Sequence, residues 1–138
     1  LPIEVFNKGI MERDFTYISD LIEAIYRLID VVPVSNPYAK SNEIDSISNI
    51  APWRVVNIGG SNPTKLMDFI EILEKALGKT ARKKFLKMQP GDVCATQADN
   101  SLLYQLTGFQ PETSVDIGIL EFVRWYLNFY EKSILEKK

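Results

Sequence analysis

The strongest constraint on the fold is a nearly continuous apolar run that ends in paired glycines and is followed by an amphipathic pattern. The run covers Trp53–Gly60, and from Thr64 to Gly78 apolar residues recur every three or four positions. A continuous apolar run is typical of a strand buried in a parallel sheet, whereas the second pattern predicts a helix capped by Thr64 and ended by Gly78. A strand, a glycine turn and a helix in this order form an α/β unit, so we predict an α/β fold.

Composition limits the class of protein. The chain has 138 residues, 46% of them hydrophobic, which suits one domain over residues 1–138. It has no histidine and one cysteine, Cys94, which excludes a Cys/His zinc site, a histidine base and an internal disulfide. We therefore predict no metal and a reducing, cytoplasmic location.

Charge and hydropathy predict that nucleic acids and membranes are not partners. The formal net charge is −2, and charges of both signs are spread along the chain without a basic face. No apolar run reaches the roughly 20 residues of a membrane helix. The chain begins without methionine and enters a strand pattern almost at once, so we expect it to be a piece of a longer protein.

The remaining segments predict further helices and a long loop. A helix capped by Ser19 or Asp20 should bury one broad apolar stripe and stop at Pro33, and residues 33–52 read as a long loop. A short helix should end at Gly108. The last helix should bury an aromatic stripe in the core, and residues 131–138 should be a frayed tail. The stripe consists of Phe122, Trp125, Tyr126, Phe129 and Tyr130.

A candidate anion site lies in the stretch Met11–Ile18. Arg13 stands two residues before Phe15, at the mouth of a cluster that can be buried. Arginine suits such a place because its planar fork pairs with phosphate or carboxylate and stays charged. The alternative is a surface ion pair between Arg13 and Asp14, which would contribute little to stability.

Four motifs together resemble a known family. They are RDFTYI at Arg13–Ile18, VVNIGG at Val55–Gly60, TKLMDFIE at Thr64–Glu71 and MQPGDV at Met88–Val93. In this order they resemble the C-terminal portion of NAD-dependent nucleotide-sugar epimerases of the extended short-chain dehydrogenase/reductase family, with the UDP-glucuronate 4-epimerases closest. The resemblance covers essentially the whole chain. It implies a Rossmann-type α/β protein with mostly helices and a few short strands, of which Val55–Ile58 would join the parent parallel sheet.

The resemblance implies a set of substrate-binding residues. Arg13 matches the arginine that binds the nucleotide pyrophosphate, and Asp92 matches the acid that accepts hydrogen bonds from the ribose hydroxyls. Gln89 stands where many relatives have a second phosphate-binding arginine. Val5 and Phe6 match the short strand on which the uracil lies, although Phe6 as an ordinary core residue remains the alternative.

The resemblance also implies what the chain lacks. The family's glycine-rich NAD loop and its Tyr-x-x-x-Lys pair have no counterpart here, so we predict no catalytic and no cofactor-binding residue, and no activity for this chain alone. It would be the UDP-sugar-binding portion of an NAD-dependent, homodimeric 4-epimerase of polysaccharide biosynthesis, acting on UDP-glucuronate. The alternatives are a UDP-galactose or UDP-N-acetylhexosamine epimerase, a nucleotide-sugar dehydratase or reductase, and a non-catalytic interaction module.

Overall fold

The computed structural model describes residues 1–34 and 44–135, which divide into two compact units. Unit 1 contains Leu1–Arg13, Pro63–Thr96 and the described residues from Thr113 onward; unit 2 contains the described residues of Asp14–Asn62 together with Gln97–Glu112. The prediction of one substrate-binding domain over residues 1–138 stays a prediction.

Unit 1 contains four short strands in two pairs. They are β1 (Ile3–Val5), β2 (Glu12–Arg13), β3 (Thr64–Lys65) and β4 (Lys83–Phe85). β1 pairs in parallel with β4, and β2 pairs in antiparallel with β3. Between β1 and β2 a tight turn brings Gly9 to φ 81°, and a Cβ there would lie 2.7 Å from the Met67 sulfur. The positive φ of this turn therefore favours glycine, and a side chain here would also displace the Met67 thioether.

The helices of unit 1 are α2 (Leu66–Leu77) and α4 (Val115–Leu135), which pack against each other. α2 ends at Gly78 in the left-handed conformation, so the predicted end is confirmed. The predicted Thr64 cap is wrong, because Thr64 lies in β3 and the helix begins after Lys65 without a side-chain cap.

The aromatic stripe of α4 is not in the core, so that prediction is wrong for the residues described. Its five side chains are between 41% and 56% exposed, while Ile119 and Val123 on the same helix are buried. The apolar residues of α4 extend around more of the helix than the one face that is buried. Helical spacing shows which residues share a face, but not which face meets a neighbour. α4 continues to Leu135, and residues 136–138 lie outside the described part, so the predicted frayed tail of 131–138 stays a prediction.

Glu74 links the end of α2 to the segment that leads into β4. Its carboxylate accepts hydrogen bonds from the Lys83 ammonium and, at 2.7 Å, from the backbone N–H of Ala81. The bond from Lys83, followed by that from Ala81, lowers the pKa of Glu74 from its ordinary value of 4.5. Because the pKa is lower in the folded chain than in the unfolded chain, this stabilisation is present above pH 4.5 and is lost as the pH falls through the folded value.

We expect Glu74→Gln to reduce the loss of stability at acid pH. The wild type should lose free energy of unfolding more steeply than the variant between about pH 5 and pH 3, because only the wild type takes up this proton on unfolding. Lys83→Met should flatten the curve in the same direction by removing the main cause of the low pKa. Urea unfolding at a series of pH values measures the free energy of unfolding of the wild type and of both variants. If the three proteins showed the same dependence on pH, the low pKa assigned to Glu74 would be contradicted.

Unit 2 is built on α1 (Ile18–Ile29) packed against α3 (Ser101–Thr107). α3 ends at Gly108 with φ 65°, as predicted. α1 begins at Ile18, not after Ser19 or Asp20, and ends at Ile29, before Pro33. The stripe predicted to be buried is mostly exposed: within it Ile22, Ile25, Ile29 and Val32 are all at least 46% exposed, while Ala24 at 0% marks the face of α1 that packs.

Trp53–Gly60 does not pair as a strand within the described residues. Trp53 and Val55 are 53% and 59% exposed, so this chain alone does not bury the run, whose neighbouring strands are predicted to lie in the parent sheet. A strand needs a neighbouring strand for its backbone hydrogen bonds, and this unit supplies none among the residues described. The pairing of Val55–Ile58 with a parent sheet stays a prediction. Of the predicted loop at 33–52, residues 35–43 lie outside the described part, and 44–52 contain neither helix nor strand.

Candidate functional site

Arg13 pairs with Asp92 in unit 1. Its Nη2 donates to Asp92 Oδ1 at 2.7 Å, and its Nη1 donates to the carbonyl oxygens of Glu12 at 2.8 Å and Cys94 at 3.4 Å. The two charged side chains are 29% and 31% exposed. The acid that pairs with Arg13 is therefore Asp92, 79 positions along the chain. The alternative prediction, a surface ion pair between Arg13 and the adjacent Asp14, is wrong.

Backbone pairing brings these two residues together. β2 pairs with β3 on one side, and on the other Glu12 forms a parallel bridge with Ala95. The Glu12 N–H donates to the Cys94 carbonyl at 2.8 Å, and the Thr96 N–H donates to the Glu12 carbonyl at 3.3 Å. The segment after Asp92 is thus held beside β2, which places the carboxylate within reach of the guanidinium.

A turn holds the Asp92 carboxylate in place. Gly91 has φ 84°, a conformation that glycine adopts without strain, and the Asp92 N–H donates to the Gln89 carbonyl at 3.3 Å. The Val93 N–H then donates to Asp92 Oδ1 at 2.8 Å. The turn at Pro90–Gly91 thus aims Asp92 at Arg13.

Arg13 and Asp92 both keep hydrogen-bonding groups that a ligand could use. A guanidinium carries five N–H groups, and the three hydrogen bonds of Arg13 leave two, including that on Nε, without a partner among the residues described. Asp92 Oδ2 likewise makes no hydrogen bond within the described part of the chain. The arrangement offers two donors to an anion and, beside them, an acceptor for a hydroxyl.

The other predicted site residues lie in the same unit. Val5 is 1% exposed and its carbonyl accepts from the Leu86 N–H at 2.8 Å, so its side chain is core. Phe6 is half-buried in the turn after β1, and Gln89 is exposed at the start of the turn that carries Asp92. Ligand contacts of Val5, Phe6 and Gln89 stay predictions.

Sequence reasoning missed a second polar centre, which lies in unit 2. Asn100 is 6% exposed; its Oδ1 accepts from the Gly59 N–H at 2.9 Å, and its Nδ2 donates to the Gly59 carbonyl and, at 2.9 Å, to Ser61 Oγ. The Asp14 carboxylate accepts from the backbone N–H groups of Ser61 at 3.0 Å and Ala98 at 2.9 Å. No spacing rule could have found this network, because its members are far apart in the sequence.

The paired glycines are explained by packing. A Cβ on Gly60 would lie 2.5 Å from the Phe15 carbonyl oxygen, and one on Gly59 would overlap Ala98. A side chain at either position would therefore meet protein atoms of unit 2, which accounts for both glycines.

The described part of the chain contains no group of three or more acidic, histidine or cysteine side chains placed to hold a metal ion. Among the helices described, none is both long enough and apolar enough to cross a membrane.

Comparisons with known proteins support the resemblance. No protein-family model matches the chain. The chain is 50% identical over 129 residues to an uncharacterised 37.6 kDa protein of Escherichia coli O111:H-, and 47% identical over 133 residues to a probable UDP-glucuronate 4-epimerase of Rhizobium meliloti (strain 1021). These matches cover 94% and 96% of this chain but 39% of each relative.

A solved structure gives the same result. The UDP-glucuronic acid 4-epimerase from Bacillus cereus, in complex with UDP-glucuronic acid and NAD, matches with a TM-score of 0.67 and 32% identity, over 91% of this chain and 36% of that one. The fold is thus that of a portion of a Rossmann-type enzyme of the extended short-chain dehydrogenase/reductase class, and the predicted α/β class is confirmed. Within that class the chain is similar to the UDP-glucuronate 4-epimerases, as predicted, and it spans 39% of the length of the curated relatives given above. Coverage of nearly all of this chain but little more than a third of each longer protein is consistent with a C-terminal portion of such an enzyme.

Proposed function

We propose that this chain is the UDP-sugar-binding portion of an NAD-dependent 4-epimerase that converts UDP-glucuronate to UDP-galacturonate for polysaccharide biosynthesis. The observation that carries the proposal is the 47% identity, over 96% of the chain, to a probable UDP-glucuronate 4-epimerase. The names of the relatives favour glucuronate over the other UDP-sugars. The Arg13–Asp92 pair supports the proposal, because Arg13 keeps N–H groups without a partner among the described residues, and a diphosphate needs such donors.

The described contacts suggest how the nucleotide is held. The two N–H groups of Arg13 that have no partner among the described residues would donate to the pyrophosphate, where charge-assisted hydrogen bonds are strong. Asp92 Oδ2 would accept from the ribose hydroxyls, and the uracil would lie along Val5 and Phe6. Gln89 adds a neutral amide in place of a second cation, so that phosphate binding depends chiefly on Arg13.

The division of labour follows from how binding energy is used. NAD, when bound, supplies a reversible hydride acceptor for C4 of the sugar, and we propose that it binds mainly outside this chain. Residues of this chain would hold the non-reacting UDP, so that the hexose can stay weakly bound and turn between the two hydride-transfer steps. We further propose a cytoplasmic, homodimeric parent enzyme without a nucleic-acid or membrane partner.

Product analysis tests the proposal. The full-length protein that carries this sequence, incubated with UDP-glucuronate and NAD, should yield UDP-galacturonate on chromatography, whereas the 138-residue chain alone should yield none. UDP-glucose and UDP-N-acetylglucosamine serve as competing substrates. Epimerisation of either of these with UDP-glucuronate left unchanged would contradict the proposed substrate.

A further inference from the structure

We propose that Asp92 is a positioning residue that acts on phosphate binding through Arg13, in addition to any contact of its own with the ribose. This inference rests on the proposed function. It assigns separate tasks to the two carboxylate oxygens: Oδ1 orients the guanidinium, and Oδ2 remains for the nucleotide.

The contacts of Oδ1 carry the inference. Oδ1 accepts from Arg13 Nη2 at 2.7 Å and from the Val93 N–H at 2.8 Å, so the acceptor is itself fixed by the backbone of its turn. The carbonyl oxygens of Glu12 and Cys94 hold Nη1 at 2.8 and 3.4 Å. Two backbone carbonyls and one carboxylate oxygen therefore set the guanidinium plane before a ligand arrives, which lowers the entropy cost of binding.

Simple electrostatics predicts the opposite effect of removing Asp92. A carboxylate beside a bound diphosphate repels it, so the neutral Asp92→Asn should tighten UDP binding if charge alone mattered. Positioning predicts weaker binding, because a neutral amide holds the guanidinium less firmly than a carboxylate does. The sign of the change therefore distinguishes the two mechanisms.

Comparison of UDP with uridine separates the two tasks of Asp92. Uridine presents the ribose without phosphate, so a loss caused only by the ribose contact should be equal for both ligands. We expect Asp92→Ala to weaken UDP binding about tenfold more than it weakens uridine binding, the size of one charge-assisted hydrogen bond. Asp92→Asn, which keeps the side-chain shape, should show a smaller excess in the same direction.

The test is calorimetric titration of the full-length protein with UDP and with uridine. In an Arg13→Ala background, Asp92→Ala should weaken UDP binding no more than it weakens uridine binding, because no guanidinium remains to be positioned. Glu71→Gln is the matched control: it removes an exposed carboxylate that pairs with Lys75, and both affinities should stay at the wild-type value.

Tighter UDP binding by Asp92→Asn, or equal losses for UDP and uridine in the Arg13-containing protein, would overturn the inference and leave the proposed function intact. If the wild-type protein bound neither ligand, the proposed function itself would be wrong, and the inference with it.

Discussion

Arg13→Ala in the full-length protein is expected to weaken UDP-glucuronate binding by about ten- to more than a hundredfold, the range of a charge-assisted contact of ~1.5–3 kcal/mol. Its NAD affinity should stay unchanged, because the described contacts of Arg13 all lie in unit 1, at the site that we assign to the UDP-sugar. Separate calorimetric titrations with each ligand measure the two affinities.

Two variants control this prediction. Arg124→Ala removes a cation whose partner is Glu121 on the same helix and whose side chain is 62% exposed, and it should leave both affinities unchanged. Arg13→Lys keeps the charge but loses the planar fork, so it should bind UDP-glucuronate with intermediate affinity. Equal losses of UDP-glucuronate and NAD in Arg13→Ala would indicate that the residue only supports the structure.

Asn100→Ala is expected to lower the free energy of unfolding by about 2–4 kcal/mol, because it leaves the buried N–H and carbonyl of Gly59 without partners. Urea unfolding of the 138-residue chain measures the change. Asn57→Ala is the matched control, since Asn57 is exposed and belongs to the same segment. If the two variants were equally stable, the buried network around Gly59 would not hold this turn.

The features that could be predicted from the sequence are those fixed by local backbone geometry. Gly78 and Gly108 end their helices as predicted, because the left-handed position after a helix favours glycine whatever surrounds it. The turn at Pro90–Gly91 is predictable for the same reason, since both residue types restrict or permit backbone angles by themselves.

The failures share a different cause, which is dependence on partners distant in sequence. The apolar stripe of α1 is mostly exposed, and the sequence does not show that the face carrying Ala24 is the one that packs. The aromatic residues of α4 have helical spacing, but α2 covers only the face that carries Ile119 and Val123. Periodicity cannot tell which face another element will cover.

In the candidate site, too, single residues could be predicted from the sequence, whereas the contacts between residues distant in sequence could not. The resemblance named Arg13 and Asp92 separately as ligand-binding residues, but it did not predict that they pair with each other, since 79 positions separate them. The strand pairing around Glu12 creates that contact. The network of Asn100 was also invisible in the sequence, because a single asparagine before a short helix is an ordinary helix-start signal.

The most direct test of the central claim is a crystal structure of the full-length protein with UDP-glucuronate and NAD. We predict that Arg13 Nε and Nη2 lie within about 3.2 Å of pyrophosphate oxygens, with Asp92 Oδ2 at a similar distance from a ribose hydroxyl and Oδ1 still bound to Arg13. A pyrophosphate bound away from Arg13, with the Arg13–Asp92 pair making no contact with the nucleotide, would contradict the claim that this chain holds UDP through that pair.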